Sequence, residues 1–160
     1  MSNTEMFSTG RGPGGARPDI RFRIRAGLNW WQAIAGGAAT AALCNLAILF
    51  IGRATGASFA YLDRGTLHAI TAWGVIVTTV LPLVVGIGLA ALLARWWFWV
   101  IRLAQVIGGG LALLSVAGPV IADTDGATRL ALVLMHVVVA VAVVVTLEAI
   151  RRHAKASHQA

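Results

Sequence analysis

The stretch LALVLMHVVVAVAVVVTLEAI, residues 130–150, decides the fold because it is long, apolar and almost free of charge. At 1.5 Å per residue, a helix of this length reaches about 31 Å, which matches the hydrocarbon thickness of a bilayer. Three further apolar runs of spanning length lie at residues 30–51, 69–94 and 98–122. The sequence therefore predicts an all-α membrane protein, an antiparallel bundle of four transmembrane helices.

The composition of the whole chain agrees with a lipid environment. Of its 160 residues, 58% are hydrophobic and 12% are charged, whereas soluble domains carry about 25% charged residues. Residues 29–150 are expected to form the transmembrane domain. Residues 1–28 are rich in Gly and Pro, which predicts a basic, disordered cytoplasmic tail. Residues 151–160 are expected to form a second basic cytoplasmic tail. The run at 30–51 has no small-residue cleavage pattern after it, so we expect it to be a retained anchor.

The formal net charge of +7 could indicate nucleic-acid binding, but the positions of the basic residues argue for a topology signal instead. Most of them fall at one end of the four runs, in both tails and around Arg95. Short loops rich in Arg and Lys stay in the cytoplasm. We therefore expect a multi-pass protein of the cell (inner) membrane with both termini inside, with no nucleic-acid partner, and with the loops at 53–68 and 123–129 outside.

Arginine and tryptophan side chains mark the expected membrane surface. Tryptophan prefers the headgroup boundary, and arginine near anionic lipid adds roughly 1 kcal/mol of attraction per residue. The partner expected at the cytoplasmic face is thus the bilayer with its anionic headgroups. The residues predicted to contact it are Arg21, Arg23, Arg25, Trp30, Trp31, Arg95, Trp96, Trp97, Trp99, Arg102, Arg151 and Arg152.

Histidine inside a span is a functional candidate by default, because ionisable groups are expensive in lipid. His136 is expected two turns into the last helix, in its outer half. It could bond a neighbouring carbonyl, relay a proton or ligate a haem. His68 is expected at the start of the second helix, on the same side of the membrane. The two histidines together suggest an alternative, in which both bind one haem. A depth difference of roughly 10 Å argues against one flat haem, so we expect neither a cofactor nor a metal.

Asn45, Thr78 and Thr79 are the other polar side chains expected inside the spans, and with His136 they form a candidate intramembrane polar site. Each of these side chains is expected to bond across helices. Pro82 is expected to bend the second helix. Small residues at 35–40 and 108–112 are expected to mark faces where helices meet. Glu148 precedes two arginines at the spacing of a helical ion pair.

The sequence excludes several activities. It has no Cys-x-x-Cys pair, no phosphate-binding loop and no acidic residue at the middle of a span. We therefore expect a non-enzymatic accessory or scaffolding component of a membrane complex, which contacts a membrane-protein partner or a second copy through its small-residue faces. One alternative is a small-solute transporter or channel with a path lined by Pro82, Asn45 and the threonines. A third is haem or quinone handling through His136.

The outer turn and last helix carry a resemblance to a known family. Gly118-Pro119, residues 123–128 and the apolar run at 130–145 with His136 inside it resemble a family of small actinobacterial four-helix membrane proteins, catalogued only as a domain of unknown function. The resemblance covers residues 30–152. The Trp-rich inner turn departs from the polar turn expected in that family. The resemblance implies the fold and an actinobacterial inner membrane, and it implies no activity.

Overall fold

The computed structural model describes residues 30–97 and 99–157. Its elements, in chain order, are α1 (Trp30–Ala54), β1 (Ala60–Asp63), β2 (Thr66–Ala69), α2 (Ala72–Leu93), α3 (Val100–Leu114), α4 (Ala117–Ile121) and α5 (Gly126–Ser157). Within these ranges, four stretches are long and apolar enough to cross a membrane: α1, α2, α3 with α4, and Gly126–His153 of α5. The protein is therefore mostly helical and of the multi-pass membrane type. The expectations for residues 1–28, including Arg21, Arg23 and Arg25, lie outside the described residues.

α5 packs against both α1 and α3, and α1 also packs against α2. Glycines allow the close approach to α5. A Cβ added at Gly37 would lie 2.1 Å from Thr146 Oγ1, and Cβ atoms at Gly108 and Gly109 would each lie 3.0 Å from a valine methyl of α5. In lipid there is little hydrophobic drive between helices, so such close backbone contact supplies the packing. α2 and α3 contact each other much less, which leaves a gap between them.

An antiparallel β-hairpin covers one end of the helices, which we call the hairpin end. β1 and β2 pair through Tyr61 with His68 and through Leu62 with Leu67. The hairpin turns at Arg64 and Gly65, both with positive φ. Just before β1, the fully buried Phe59 ring lies against Gly52, where an added Cβ would be 2.8 Å from the ring. The hairpin therefore closes over the end of α1.

The hairpin corrects two expectations. Residues 53–68 were expected to be a loop and the second helix to begin at 69, but α2 begins at Ala72 because the Thr71 side chain accepts a hydrogen bond from Gly74 N and caps it. Residues 66–69 pair with β1 instead. His68 consequently lies in a strand, and its expected place at the start of a helix is wrong.

The last helix is longer than expected at both ends. It begins at Gly126, because the preceding Asp125 side chain accepts from Thr128 N at 2.9 Å and caps the first turn. His136 is therefore nearly three turns into α5 and not two. The helix continues to Ser157, so the C-terminal residues 151–157 extend it. Similarly, α1 continues to Ala54, past the expected end at residue 51.

The third spanning stretch is divided. α3 ends at Leu114, and α4 begins at Ala117 after a short irregular segment in which the Ser115 hydroxyl donates to Ala112 O. The run at 98–122 was expected to be one helix, whereas Pro119 lies buried inside a separate helix, α4. Proline fits there because it stands in the first turn, where its missing N–H has no partner to lose. α2, by contrast, continues through Pro82 without interruption.

Candidate functional site

A cavity of about 1080 Å³ lies between α2 and α3, with α5 and part of α1 behind it. Its volume is slightly above the ~300–1,000 Å³ of ordinary ligand sites. The cavity exists because α2 and α3 diverge and because small residues such as Gly86, Gly108 and Gly118 face it. No added Cβ at Gly86 or Gly118 would meet another atom within 4 Å. Its wall is mostly apolar.

The structure brings the four side chains of the candidate intramembrane polar site to this one cavity: Asn45, Thr78, Thr79 and His136 all line it. Asn45 is 2% exposed, and its Nδ2 donates to Thr79 Oγ1 at 2.9 Å. This bond joins α1 to α2. Asn45 Oδ1 is buried and accepts no hydrogen bond from any residue that the structure describes. A buried carbonyl oxygen without a hydrogen-bond partner costs free energy. Asn45 Oδ1 is therefore a buried acceptor of the cavity that remains unsatisfied.

His136 presents a second acceptor. Its Nδ1 lies 2.7 Å from the carbonyl oxygen of Leu132, one turn earlier in α5. A carbonyl oxygen can only accept, so Nδ1 carries the proton, and in the neutral ring Nε2 is the acceptor. Thr78 was expected to bond across helices, and this expectation is wrong, because its hydroxyl donates to Gly74 O within α2 at 2.7 Å. The cavity wall thus offers acceptors on α1 and α5.

His68 does not join this site. Its ring stacks on Tyr61 with 5.4 Å between ring centroids, on the exposed hairpin. Tyr61 lines the hairpin end of the cavity, whereas His68 is not among the lining residues. Among the described residues, no three His, Cys, Asp or Glu side chains come together as a metal site. The structure therefore does not place the two histidines on a shared ligand.

Sequence reasoning missed the stripe of α5 that faces the cavity. Leu132, His136, Val139, Val143 and Leu147 line it at helical spacings of three and four residues. This spacing is the signal that could have found them, because such positions share one helix face. In an almost uniformly apolar helix, however, the buried and lipid-facing stripes look alike. His136 was the one residue that marked the correct face.

A polar cluster outside the cavity fixes the hairpin end. Asp125 accepts hydrogen bonds from the Ser58 hydroxyl and from Thr128 Oγ1, the latter at 2.6 Å. Thr128 Oγ1 also accepts from Phe59 N at 2.9 Å. These hydrogen bonds, led by the one from Ser58, hold the pKa of Asp125 well below its usual value. The cluster joins the start of α5 to the segment before β1, so its role is structural.

The opposite end carries the expected ion pair, which the structure confirms. Glu148 lies 2.6 Å from Arg151 and 2.9 Å from Arg152. Gln105 Nε2 of α3 donates to Val144 O at 3.3 Å and to Glu148 at 3.4 Å, which links α3 to α5. The Arg151 side chain is half-buried beside Glu148.

Most of the predicted membrane-surface residues that the structure describes are exposed at this same end. They are Trp30, Trp31, Arg95, Trp96, Trp97, Trp99, Arg102 and Arg152. Exposed tryptophans beside arginines are typical of a headgroup boundary.

The comparison with known proteins bears on the described region as a whole. A family model described as a Family of unknown function (DUF6069) matches residues 25–153. No curated protein and no solved structure matches the chain. The match covers all four apolar helices, the hairpin and every residue of the cavity wall. The chain therefore belongs to this Family of unknown function (DUF6069).

Proposed function

We propose that this protein is a non-enzymatic membrane protein that takes a lipid-soluble molecule from the bilayer into the cavity between α2 and α3. The observation that carries the proposal is the cavity itself: about 1080 Å³ of mostly apolar space beside two diverging membrane-type helices. We expect lipid hydrocarbon to fill an apolar space of this size inside a bilayer. The described lining residues include no nucleophile with a neighbouring base, so binding without chemistry is the simpler function.

Two glycines of α2 provide a matched test of this proposal. Gly86 lines the cavity and Gly88 does not, and an added Cβ meets no atom within 4 Å at either position. We expect Gly86→Leu to place a side chain in the cavity and to remove lipids that co-purify with the wild-type protein. Gly88→Leu adds the same side chain to the same helix outside the cavity and should retain them. Native mass spectrometry of the protein released from membranes measures both results.

If Gly86→Leu kept the same bound lipids in the same amount as Gly88→Leu, the cavity would not be the binding site and the proposal would fail. Both variants should elute as the wild-type protein does on size exclusion, which shows that each is folded.

An accessory role in a larger membrane complex is the setting we propose for this binding. α3 with α4 supports it, because only 11% of its most apolar 18-residue stretch is buried, against 28–33% in the other three spans. This face is available to a membrane-protein partner or a second copy. Affinity purification at near-native expression should recover a stable partner, and recovery of the protein alone would contradict the accessory role.

A transporter or channel is the second candidate, because Asn45, Thr78, Thr79 and Pro82 line the same cavity. Its mostly apolar wall favours a lipid over a hydrated solute, since a polar solute would lose its hydration there. Flux of a small solute in proteoliposomes that disappears in Asn45→Leu or in Pro82→Ala would favour the transporter.

Haem or quinone handling through His136 is the third candidate, supported by the position of this histidine at the cavity wall. A Soret band in the purified protein that is lost in His136→Ala would favour a haem.

We propose the membrane and the orientation on the positions of the basic residues. The hairpin end faces outward, and both termini and the turn at Arg95 face the cytoplasm, as the arginine excess favours. The cell (inner) membrane of an actinobacterium is the location that the family resemblance implies.

A further inference from the structure

The described part of the cavity wall carries no carboxylate, ammonium or guanidinium group that could pair with an ionic ligand. Among the described lining residues there is no Asp, Glu, Lys or Arg. A phosphate or ammonium group would therefore lose its hydration in the cavity without gaining a counter-charge, which is costly in lipid. The molecule that fills the cavity is consequently neutral where it contacts this wall.

Asn45 Oδ1 and His136 Nε2 are two positions of the wall that need a donor. Asn45 Oδ1 has no partner among the described residues, and its Nδ2 is already bonded to Thr79. His136 Nδ1 is bonded to Leu132 O, which leaves Nε2 as an acceptor. A ligand that offered only acceptors, such as an ester, an ether or a ketone, would satisfy neither. A hydroxyl group satisfies either one.

The two acceptors lie at a similar depth in the protein. Asn45 stands nine residues before the end of α1, and His136 ten residues after the start of α5, so both are about 13–15 Å from the hairpin end. The lining of α5 continues eleven residues further, to Leu147, or about 16 Å. A head group at Asn45 therefore leaves an apolar space long enough for an extended hydrocarbon chain.

We infer that the ligand of this cavity is a neutral lipid with a hydroxyl head group, such as a long-chain or isoprenoid alcohol or a quinol, and that the buried Asn45 Oδ1 accepts the hydroxyl proton. The inference rests on the proposed function, because it names the ligand class of the same cavity. Phospholipids fit less well, since their ionic head groups would have to leave the membrane surface to reach this depth.

Two probes of equal chain length test the inference: hexadecan-1-ol and its methyl ether, each added to the full-length protein in detergent after removal of co-purified lipid. The wild-type protein should bind the alcohol about five- to tenfold more tightly than the ether, since one hydrogen bond to a buried acceptor distinguishes them. Asn45→Leu removes an acceptor and should reduce this preference to about twofold or less. Thr40→Val, an exposed position of α1 outside the cavity wall, should keep it.

The outcomes separate the inference from the proposed function. Equal affinity of the wild-type protein for alcohol and ether would overturn the hydroxyl assignment, while displacement of both by Gly86→Leu would leave the cavity proposal standing. Binding of neither probe, together with unchanged lipid in Gly86→Leu, would overturn both. Because the wild-type comparison needs no variant, it decides the inference even if Asn45→Leu does not fold.

Discussion

At the scale of single residues, the Thr128 side chain joins two segments of the chain outside the cavity. It is fully buried, and its hydroxyl accepts from Phe59 N while donating to Asp125. One oxygen thereby joins the start of α5 to the segment that leads into the hairpin.

Thr128→Val keeps the shape of this side chain and removes both hydrogen bonds. We expect it to lower the free energy of unfolding by about 1–3 kcal/mol, because the buried Phe59 N–H loses its acceptor. Thr55→Val is the control, since Thr55 is exposed just after α1 and its hydroxyl donates to carbonyl groups in the last turn of α1. Unfolding in mixed micelles of dodecyl sulfate measures both. Equal stability of the two variants would show that the Thr128 bonds contribute little.

Asp125 makes the stability of the hairpin end depend on pH in the acid range. Its pKa is lowered in the folded protein, so its contribution to stability is fully present above the unfolded value of about 3.9. The contribution is lost as the pH falls from about 4 through the lower folded pKa. The carboxyl carbon-13 shift of Asp125 should therefore titrate below pH 3.9, and at a higher pH in Ser58→Ala. A wild-type midpoint at or above 3.9 would contradict this.

Polar residues were informative in the sequence because a lipid environment makes them rare. Asn45, Thr78, Thr79 and His136 stand out in apolar runs, and the structure places all four on one cavity wall. What single residues could not show was their partners. The pairing of Asn45 with Thr79 joins positions 34 residues apart, and no local pattern specifies it.

At the scale of elements, the contact between α1 and α5 depends on the absence of a side chain at Gly37. An alanine there would place its Cβ 2.1 Å from Thr146 Oγ1, so the helices would have to separate or Thr146 would have to move. Gly36 is its neighbour, and a Cβ there meets no atom within 4 Å.

Gly37→Ala is therefore expected to destabilise the protein by about 1–3 kcal/mol, the usual cost of overpacking. Gly36→Ala should be neutral or slightly stabilising, because alanine favours a helix more than glycine does. Thermal unfolding of both variants in the same detergent makes the comparison. If the two variants unfolded together, α1 and α5 would not be packed through Gly37.

The spanning helices could be predicted from the sequence because length and hydrophobicity decide them. The hairpin could not, since AYLD and TLHA are short and become strands only by pairing with each other and with Asp123. The start of α5 was misplaced for a related reason. Residues 123–129 were expected to form a loop, yet the Asp125 side chain caps the helix that begins at Gly126.

At the scale of the whole molecule, the gap between α2 and α3 could not be predicted. Hydropathy finds each helix, but it does not tell which pairs of helices meet, and here α5 contacts α1 and α3 while α2 and α3 diverge. The glycines of α3 were expected at helix contacts. Gly109 packs on α5 in this way, whereas Gly108 both approaches α5 and lines the cavity.

The proposed orientation predicts which positions a membrane-impermeant maleimide can reach. Arg64→Cys, at the exposed hairpin turn, should react in intact cells, and Trp96→Cys, at the exposed turn after α2, only after permeabilisation. The wild-type protein, with Cys44 as its single cysteine, gives the background. The reverse labelling pattern would invert the proposed topology.

Photocrosslinking tests the cavity most directly. A long-chain alcohol with a diazirine in its chain, added to membranes that contain the wild-type protein, should label the half-buried cavity residues Leu132 and Val139. Excess unlabelled alcohol should suppress this labelling, and Gly86→Leu should abolish it. Leu43 and Val106, which are exposed and outside the cavity wall, should be labelled without saturation. Labelling confined to such outward positions, with none at Leu132 or Val139, would contradict a lipid-filled cavity between α2 and α3.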